Sequence, residues 1–320
     1  MRINLLSFLD PRIYGGGGEM ISRRVFEVGL QRGHDIRIVS VRPRSREMHE
    51  RPHLSLLIDV FNFGHTLRSL GAWRAFGQRF LEDAITIAPF VHLTNAYVDV
   101  CNLPYLPCNG KRRGLCPAKP GLSVLNRLTI NDWGNECFAT RTLVKKLYEQ
   151  SVLNVYLSPL HRRVTETLLD IKDMPPSYIL RPLIDTKRFR NLGIERDIDY
   201  LFVGVIGEAK GLDAMRERFR DKDIYFIGRC ASGVKLDFGH HLGHVSYEQV
   251  PYFMNRARNF VFMPRWPEPQ GRVVAEASLC GCSIIGNENV GALSFDMELS
   301  SPDSYLGVEE EFWQTIERLI

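Results

Sequence analysis

The feature that most constrains the fold is an alternation of apolar runs with amphipathic stretches, which occurs twice along the chain. An apolar run at 3–8 is followed by apolar residues at helical spacing over 19–30 and by a second apolar run at 36–40. This strand–helix–strand opening predicts a parallel, doubly wound sheet that binds ligands at the carboxyl ends of its strands. The pattern begins again with apolar runs at 200–204 and 224–228. The sequence therefore predicts an α/β protein with two doubly wound domains.

The length of 320 residues also favours two domains of ordinary size. Prolines at 175, 176 and 182 stiffen the passage through the last strand predicted for the first half, which starts at 178 and runs into an exit loop. We therefore predict an N-terminal domain at 1–185 and a C-terminal domain at 186–320. Within the first domain, the segment at about 101–121 holds prolines, glycines, four basic residues and three cysteines, and is predicted to be an irregular insertion.

Charge and composition argue against several classes of protein. The net charge is only +4, so the arginines at 42–51 and the basic run at 111–113 do not indicate nucleic-acid binding. They are compatible with a solvated face, with phosphate ligands or with contact with the inner face of a membrane. No apolar stretch is long enough to cross a bilayer, and residues 1–9 lack a signal-peptide cleavage pattern. We therefore expect a cytoplasmic protein, and seven cysteines, an odd number, suit a reducing compartment.

Two glutamates follow the apolar run at 260–263, with seven residues between Glu268 and Glu276. Carboxylates accept hydrogen bonds from hydroxyl groups, whereas the free amides at the start of a helix attract phosphate. A helix is predicted to open where a glycine allows a ligand close to the backbone, at Gly271, Arg272 and Val273. This pattern indicates a ligand that carries both hydroxyls and phosphate, such as a nucleotide-sugar. The alternative is a surface helix start whose glutamates merely oppose the helix dipole.

The stretch at 268–281 resembles the Glu-x7-Glu motif of the family-4 retaining glycosyltransferases, and the resemblance extends over nearly the whole chain. It implies the GT-B fold, in which two Rossmann-like domains face each other across a cleft. It also implies that Glu268 reaches hydroxyls of the donor sugar as a catalytic residue and that Glu276 holds the nucleotide ribose.

The same resemblance implies transfer with retention at the anomeric carbon, without a metal, a cofactor or a protein nucleophile. The substrate would be a UDP- or GDP-linked sugar bound mainly by the C-terminal domain. The acceptor, an unidentified glycan, lipid or small molecule, would bind to the N-terminal domain.

A run of four glycines at 15–18 lies between the first predicted strand and helix, where it can turn amides toward a ligand. It matches neither the dinucleotide-binding fingerprint nor a P-loop, and arginines at 42 and 44 stand where a dinucleotide site needs an acid. An NAD-dependent dehydrogenase is therefore disfavoured. Together with 30–35, the run resembles the opening of family-4 transferases, which implies substrate contacts for Gly16, Gly17 and Gly18. A tight turn without a ligand is the alternative.

The segment at 204–211 resembles the Gly-Arg-Leu-x3-Lys-Gly pattern of the same family. The match assigns the leaving diphosphate to Lys210, whose charge would also stabilise the transition state. The arginine of the pattern is Val205 here, so a second cation has to come from elsewhere, for example Arg272. A solvated loop lysine is the alternative. The departure at Val205 also keeps open a regulatory homologue that binds a nucleotide-sugar without transferring it.

Two further positions are candidate substrate contacts. Asn95 and Ala96 stand where many relatives carry a His-Asp pair. Asn95 can form a hydrogen bond there but cannot titrate, so the usual recognition of the 6-hydroxyl of the sugar is not carried over. His161 follows a predicted strand end. It either touches the acceptor or diphosphate, or it lies on the first turn of a helix capped by Ser158.

Metal binding and a second enzyme class are less well supported. Cys101, Cys108 and Cys116 are spaced by seven and eight residues, whereas structural zinc sites bring ligands in close pairs. We predict no metal site and expect buried or free thiols, or a lid on the acceptor side such as some relatives carry. A nucleotide-sugar epimerase with the same fold is the alternative enzyme, but no set of carboxylates or histidines for proton abstraction is evident.

Overall fold

The structure is a computed structural model that describes these parts of the chain: residues 1–13, 17–42, 45–60, 78–101, 106, 108, 139 and 142–320. Contacts divide them into two compact units. The first unit holds residues 1–157, 161–180 and 307–320, and the second holds 158–160 and 181–306. Across these described residues, no helix combines the length and the apolar character that a membrane span requires.

The first unit is built around a largely parallel sheet. Its strands and helices before residue 180 are, in chain order, β1 (Arg2–Leu9), α1 (Gly17–Gln31), β2 (Asp35–Arg42), β3 (Ser45–Arg46), β4 (Leu54–Ile58), α2 (Gln78–Ile87), β5 (Phe90–Leu93), α3 (Thr142–Gln150), β6 (Leu153–Tyr156), α4 (Pro159–Leu169) and β7 (Ser177–Ile179). The described strands pair in the order β3-β2-β1-β4-β5-β6-β7, and only the β2–β3 pair among them is antiparallel. The strand order reverses between β1 and β4, which is where ligands bind in doubly wound sheets.

The second unit repeats the plan with a smaller sheet. Its strands and helices, followed by the C-terminal helix, are β8 (Ile198–Val203), α5 (Leu212–Phe219), β9 (Ile224–Ile227), β10 (His240–His241), α6 (Val250–Arg256), β11 (Ala257–Phe262), α7 (Arg272–Leu279), β12 (Ser283–Gly286) and α8 (Val308–Glu317). The described strands are all parallel, in the order β10-β9-β8-β11-β12. Here the order reverses between β8 and β11. Buried aromatic and aliphatic side chains of the central strands form the core, as expected for a sheet covered on both faces.

Most of the strands and helices predicted from the sequence are present with shifts of a few residues. Helix α5 was not predicted, because charged residues separate its buried Leu212, Met215 and Phe219. Most of the insertion at 101–121 lies outside the described residues.

The C-terminal helix α8 groups with the first unit, although the predicted C-terminal domain ran to residue 320. The reason is its apolar face, which buries Phe312, Trp313 and Ile316. The indole Nε1 of Trp313 donates to the carbonyl of Val25 in α1 at 3.1 Å. The chain therefore returns to the first sheet after it has completed the second.

The close packing of α1 against α8 can be tested at Gly29. A Cβ at this position would overlap the ring of Trp313 and lie 2.6 Å from Cδ1 of Ile36. We expect Gly29→Ala to lower the free energy of unfolding by about 1–3 kcal/mol, the usual cost of overpacking. Denaturant unfolding of the full chain measures this change.

Gly17→Ala is the matched control, because Gly17 lies in the same helix and a Cβ there would meet no described atom within 4 Å. Alanine should leave the stability unchanged or raise it by up to about 1 kcal/mol. Equal stability of the two variants would contradict the packing of α8 on α1.

Candidate functional site

The candidate site of the second unit lies at the carboxyl ends of β8 and β11, where the strand order reverses. After β8 the chain forms a single 3₁₀ turn at Glu208–Lys210, which ends at Gly211 with φ 85°. A Cβ at Gly211 would overlap the carbonyl oxygen of Met263, just after β11. The glycine therefore allows the loop after β8 to lie directly against the end of β11.

This approach brings Lys210 and Glu268 together. The Nζ of Lys210 lies 2.6 Å from Oε2 of Glu268, and the two side chains are 24% and 15% exposed. The ammonium group also lies over the rings of Phe262 and Trp266, at 5.4 and 5.3 Å from their centroids. The pair is therefore shielded on its aromatic side and still accessible to a ligand.

The backbone of Glu268 is anchored by the loop that follows β12. Its amide donates to the carbonyl of Asn289 at 2.7 Å, and its carbonyl accepts from the amide of Gly291 at 3.0 Å. These two bonds fix the start of the segment that leads into α7.

Helix α7 begins in the way the sequence predicted. Gly271 precedes it in the left-handed region, with φ 68° and ψ 44°, which favours glycine. Its carbonyl accepts from the amide of Val274 at 2.8 Å, and no side chain of the described residues caps this helix start. Amides at the start of a helix attract anions, so this turn is a candidate phosphate contact.

Glu276 is almost fully buried, with 3% of the residue exposed. Its Oε1 accepts a hydrogen bond from the hydroxyl of Tyr247 at 2.7 Å and pairs with Nε of Arg272 at 3.0 Å. Burial raises the pKa of Glu276, while the charge of Arg272 and the two hydrogen bonds oppose the rise. Tyr247 was not identified from the sequence, because it lies on a different segment from the motif.

The second cation that the sequence called for is not supplied by the loop after β8. Val205, which replaces the arginine of the family pattern, is 41% exposed. Arg272, the suggested substitute, directs its Nε at Glu276. Arg188 and Arg272 both lie over the ring of Tyr247, at 5.3 and 5.7 Å from its centroid. The guanidinium groups of both arginines thus pack on the ring of Tyr247.

A second candidate site is a small recess in the first unit, where its strand order reverses. The recess is lined by residues from the ends of β1, β4 and β5 and from α1, namely Ser7, Phe8, Leu9, Glu19, Ser22, Asp59 and Asn95. A Cβ at Gly18 would lie 3.0 Å from Cβ of Asn95, so the first turn of α1 approaches Asn95 closely. Gly17 begins α1, and Gly16 lies outside the described residues.

Asp59 is the member of this recess that the sequence analysis missed. Its carboxylate accepts from the amide of Asn95 at 2.8 Å and from its side-chain Nδ2 at 2.9 Å. The same Nδ2 donates to the hydroxyl of Ser22 at 3.0 Å. Burial, with the charge of Asp99, raises the pKa of Asp59 to about 8. The signal in the sequence was a carboxylate directly after the apolar run of β4.

His161 does not reach the surface. It is fully buried in the first unit, its Nδ1 accepts from the amide of Leu157 at 3.2 Å, and Tyr97 and Tyr156 meet its ring edge-on. Burial lowers the pKa of His161 to about 3, so the ring is neutral. The structure therefore places His161 in the core of the first unit.

The described cysteines form no metal site. Cys101 is buried and Cys108 is partly buried, whereas Cys116 lies outside the described residues. Among the described residues there is no cluster of three or more histidine, cysteine, aspartate or glutamate side chains arranged to hold a metal ion.

The raised pKa of Asp59 predicts a pH dependence of stability. The folded protein holds this proton over the window between the ordinary aspartate pKa and about pH 8, whereas the unfolded chain releases it. The contribution of Asp59 to the free energy of unfolding therefore falls as the pH rises through that window. We expect Asp59→Asn to remove this part of the pH dependence, measured by denaturant unfolding at about pH 5 and about pH 8.5.

The exposed Asp173 supplies the control. Asp173→Asn should keep the pH dependence of the wild type. If Asp59→Asn also kept it, the retention of a proton by Asp59 near neutral pH would be contradicted.

Comparisons with known proteins agree with the fold. No protein-family model matches the chain, and no curated protein does. A structure of HepE from Anabaena, solved with UDP and glucose, matches over 99% of this chain and 100% of its own, with 12% identity and a TM-score of 0.54. AviGT4, a glycosyltransferase involved in avilamycin A biosynthesis, matches over 99% of this chain and 97% of its own, with 14% identity and a TM-score of 0.54.

An α-glucosyltransferase solved with UDP and a 13-mer DNA matches over 100% of this chain and 89% of its own, with 12% identity and a TM-score of 0.53. Identities this low establish the fold alone. The mixed α/β architecture with two largely parallel sheets is that of the GT-B glycosyltransferases, as the sequence predicted.

Proposed function

We propose that this chain is a family-4 glycosyltransferase that moves a sugar from a nucleotide-sugar to an acceptor with retention at the anomeric carbon. The observation that carries the proposal is the pairing of Lys210 with Glu268 directly before an uncapped helix start, with the buried Glu276 on that helix. The Lys210 cation, the amides at the start of α7 and the carboxylates of Glu268 and Glu276 together suit a diphosphate that links a sugar to a ribose.

Each group has a role that follows from its chemistry. Lys210 and the first amides of α7 bind the diphosphate, since both offer donors to an anion. Glu268 binds hydroxyls of the donor sugar, and Glu276 binds a hydroxyl of the ribose. Glu268 is partly exposed and is paired with Lys210, which a ligand can draw away, whereas Glu276 is buried and held by neighbouring side chains.

Catalysis in this proposal is electrostatic. As the bond to the sugar breaks, negative charge grows on the diphosphate, and Lys210 with the α7 amides stabilises it. A departing phosphate oxygen takes the proton of the acceptor hydroxyl, so no protein nucleophile and no metal is needed. The acceptor binds to the first unit, where Asn95 and Asp59 line the recess and Gly18 lies close to Asn95.

The similar structures support a uridine nucleotide as the carrier. HepE was solved with UDP and glucose, and the α-glucosyltransferase was solved with UDP. A guanosine nucleotide is the other carrier that the proposal allows.

A second candidate function is nucleotide-sugar binding without transfer, as in a regulatory homologue. The exposed Val205 favours it, because the loop after β8 then offers Lys210 as its cation where the family pattern has two. Loss of one charged contact weakens stabilisation of the transition state by about 1.5–3 kcal/mol.

The proposal is tested by incubating the full chain with UDP-, GDP- and ADP-sugars. We expect calorimetric binding of a UDP- or GDP-sugar, and release of the nucleoside diphosphate when glycan, lipid or small-molecule acceptors are supplied. Addition of a chelator should not change the rate. Binding without any release would favour the regulatory function, and failure of all the donors to bind would contradict the proposal.

Substitution of Lys210 separates its role from that of an ordinary surface lysine. Lys210→Met should weaken binding of the nucleoside diphosphate about 10- to 100-fold, because a hydrogen bond to a charged group contributes about 1.5–3 kcal/mol. Glu268→Gln should bind the free diphosphate at least as tightly as the wild type, since Lys210 is released, yet lose transfer. Calorimetry and a transfer assay measure the two effects.

Lys235 provides the control, because it is exposed in the same unit. Lys235→Met should leave both readouts unchanged. Diphosphate binding that is insensitive to Lys210→Met would argue against the assigned role.

A further inference from the structure

The arrangement around Glu276 is one-sided. Both contacts that the described residues make with its carboxylate, the Tyr247 hydroxyl at 2.7 Å and Nε of Arg272 at 3.0 Å, fall on Oε1. Two donors on one oxygen fix the plane of the carboxylate. They also leave the second oxygen, Oε2, as the acceptor that a ligand hydroxyl can use.

Tyr247 is itself held in place. Its ring packs against Phe189 at a centroid distance of 5.5 Å, and the guanidinium groups of Arg188 and Arg272 lie over it. Tyr247 lies just before α6, whereas Glu276 lies on α7, so the hydroxyl bridges two segments of the second unit. The orientation of Glu276 therefore depends on a residue outside its own helix.

We propose that Tyr247, together with Arg272, is a positioning residue that aims Oε2 of Glu276 at a ribose hydroxyl and so makes the site select ribonucleotides over deoxyribonucleotides. The inference rests on the proposed function, because it needs a nucleotide in this site. It assigns Arg272 to Glu276, in place of the phosphate contact suggested by the sequence.

The physical reason is the cost of an unfixed buried carboxylate. A charged acceptor in a fixed orientation forms a short, strong hydrogen bond with a hydroxyl. Without the Tyr247 hydroxyl, Glu276 keeps one partner and can rotate, and its burial then favours the protonated form more strongly. A protonated or rotated carboxyl discriminates poorly between a ribose that carries the hydroxyl and one that lacks it.

The test compares binding of UDP, 2′-deoxy-UDP and 3′-deoxy-UDP to the full chain by calorimetry. The wild type should bind UDP about 10- to 100-fold more tightly than at least one deoxy analogue, as expected for a hydrogen bond to a charged group. In Tyr247→Phe this ratio should fall toward one, because UDP binding weakens while binding of that deoxy analogue changes little. GDP and its deoxy analogues replace the uridine set if only GDP binds.

Tyr305→Phe is the matched control. The hydroxyl of Tyr305 also donates one hydrogen bond within the second unit, to the carbonyl of Leu299 at 2.8 Å, and the residue is 4% exposed. Its loss should cost stability in a comparable way and leave the ribose preference of the wild type intact.

Arg272→Met gives a second, independent variant should Tyr247→Phe fold poorly. A lost phosphate contact would weaken binding of UDP and of its deoxy analogues equally, whereas a lost support for Glu276 would lower the ratio between them. We expect the ratio to fall.

The outcomes distinguish this inference from the function on which it rests. A wild-type chain that binds neither UDP nor GDP would overturn both. A wild type that binds UDP without a ribose preference, or whose preference persists in Tyr247→Phe and Arg272→Met, would overturn the inference and leave the proposed function standing.

Discussion

The contact of Gly211 with the carbonyl oxygen of Met263 is the constraint on which the site of the second unit depends. No side chain fits at Gly211, because a Cβ would overlap that oxygen. The loop after β8 therefore lies directly against the end of β11, and Lys210, the preceding residue, meets Glu268 at 2.6 Å. Gly228, after β9, approaches the carbonyl of Gly204 in the same way. The glycines at these strand ends thus determine where the charged side chains lie.

The Lys210–Glu268 pair is suited to exchange of partners. An ion pair that keeps some exposure contributes only about 0–1 kcal/mol, so little is lost when a ligand separates it. The rings of Phe262 and Trp266 hold the ammonium group independently of the carboxylate, each by about 0.5–1 kcal/mol. In the proposed function, the cation can therefore stay in place when its anionic partner changes from a carboxylate to a diphosphate, which carries more charge. The proposal also releases Glu268 to accept hydroxyl groups in the same event.

Hydrophobic patterning was sufficient to predict both sheets, because strands such as β8 and β11 end in runs of consecutive apolar residues, most of them buried. It could not assign α8 to a unit, since an apolar helical face does not reveal which sheet it will cover. Glu268, Gly271 and Glu276 were found because they lie within one short motif. Asp59 and Tyr247 were missed because their partners, Asn95 and Glu276, lie 36 and 29 residues further along the chain.

The two glutamates of the motif differ in environment, although the sequence treats them alike. Glu268 lies between β11 and α7 with 15% of its side chain exposed, and its partner is Lys210. Glu276 is buried, and two donors converge on one of its oxygens. In the proposed function, a carboxylate that can change partners suits a sugar whose charge changes during the reaction. A carboxylate held by two donors suits a ribose that must stay fixed, because a nucleotide that shifted would carry its diphosphate away from Lys210. The proposal therefore assigns the reacting sugar to Glu268, before α7, and the anchoring of the nucleotide to Glu276, on α7.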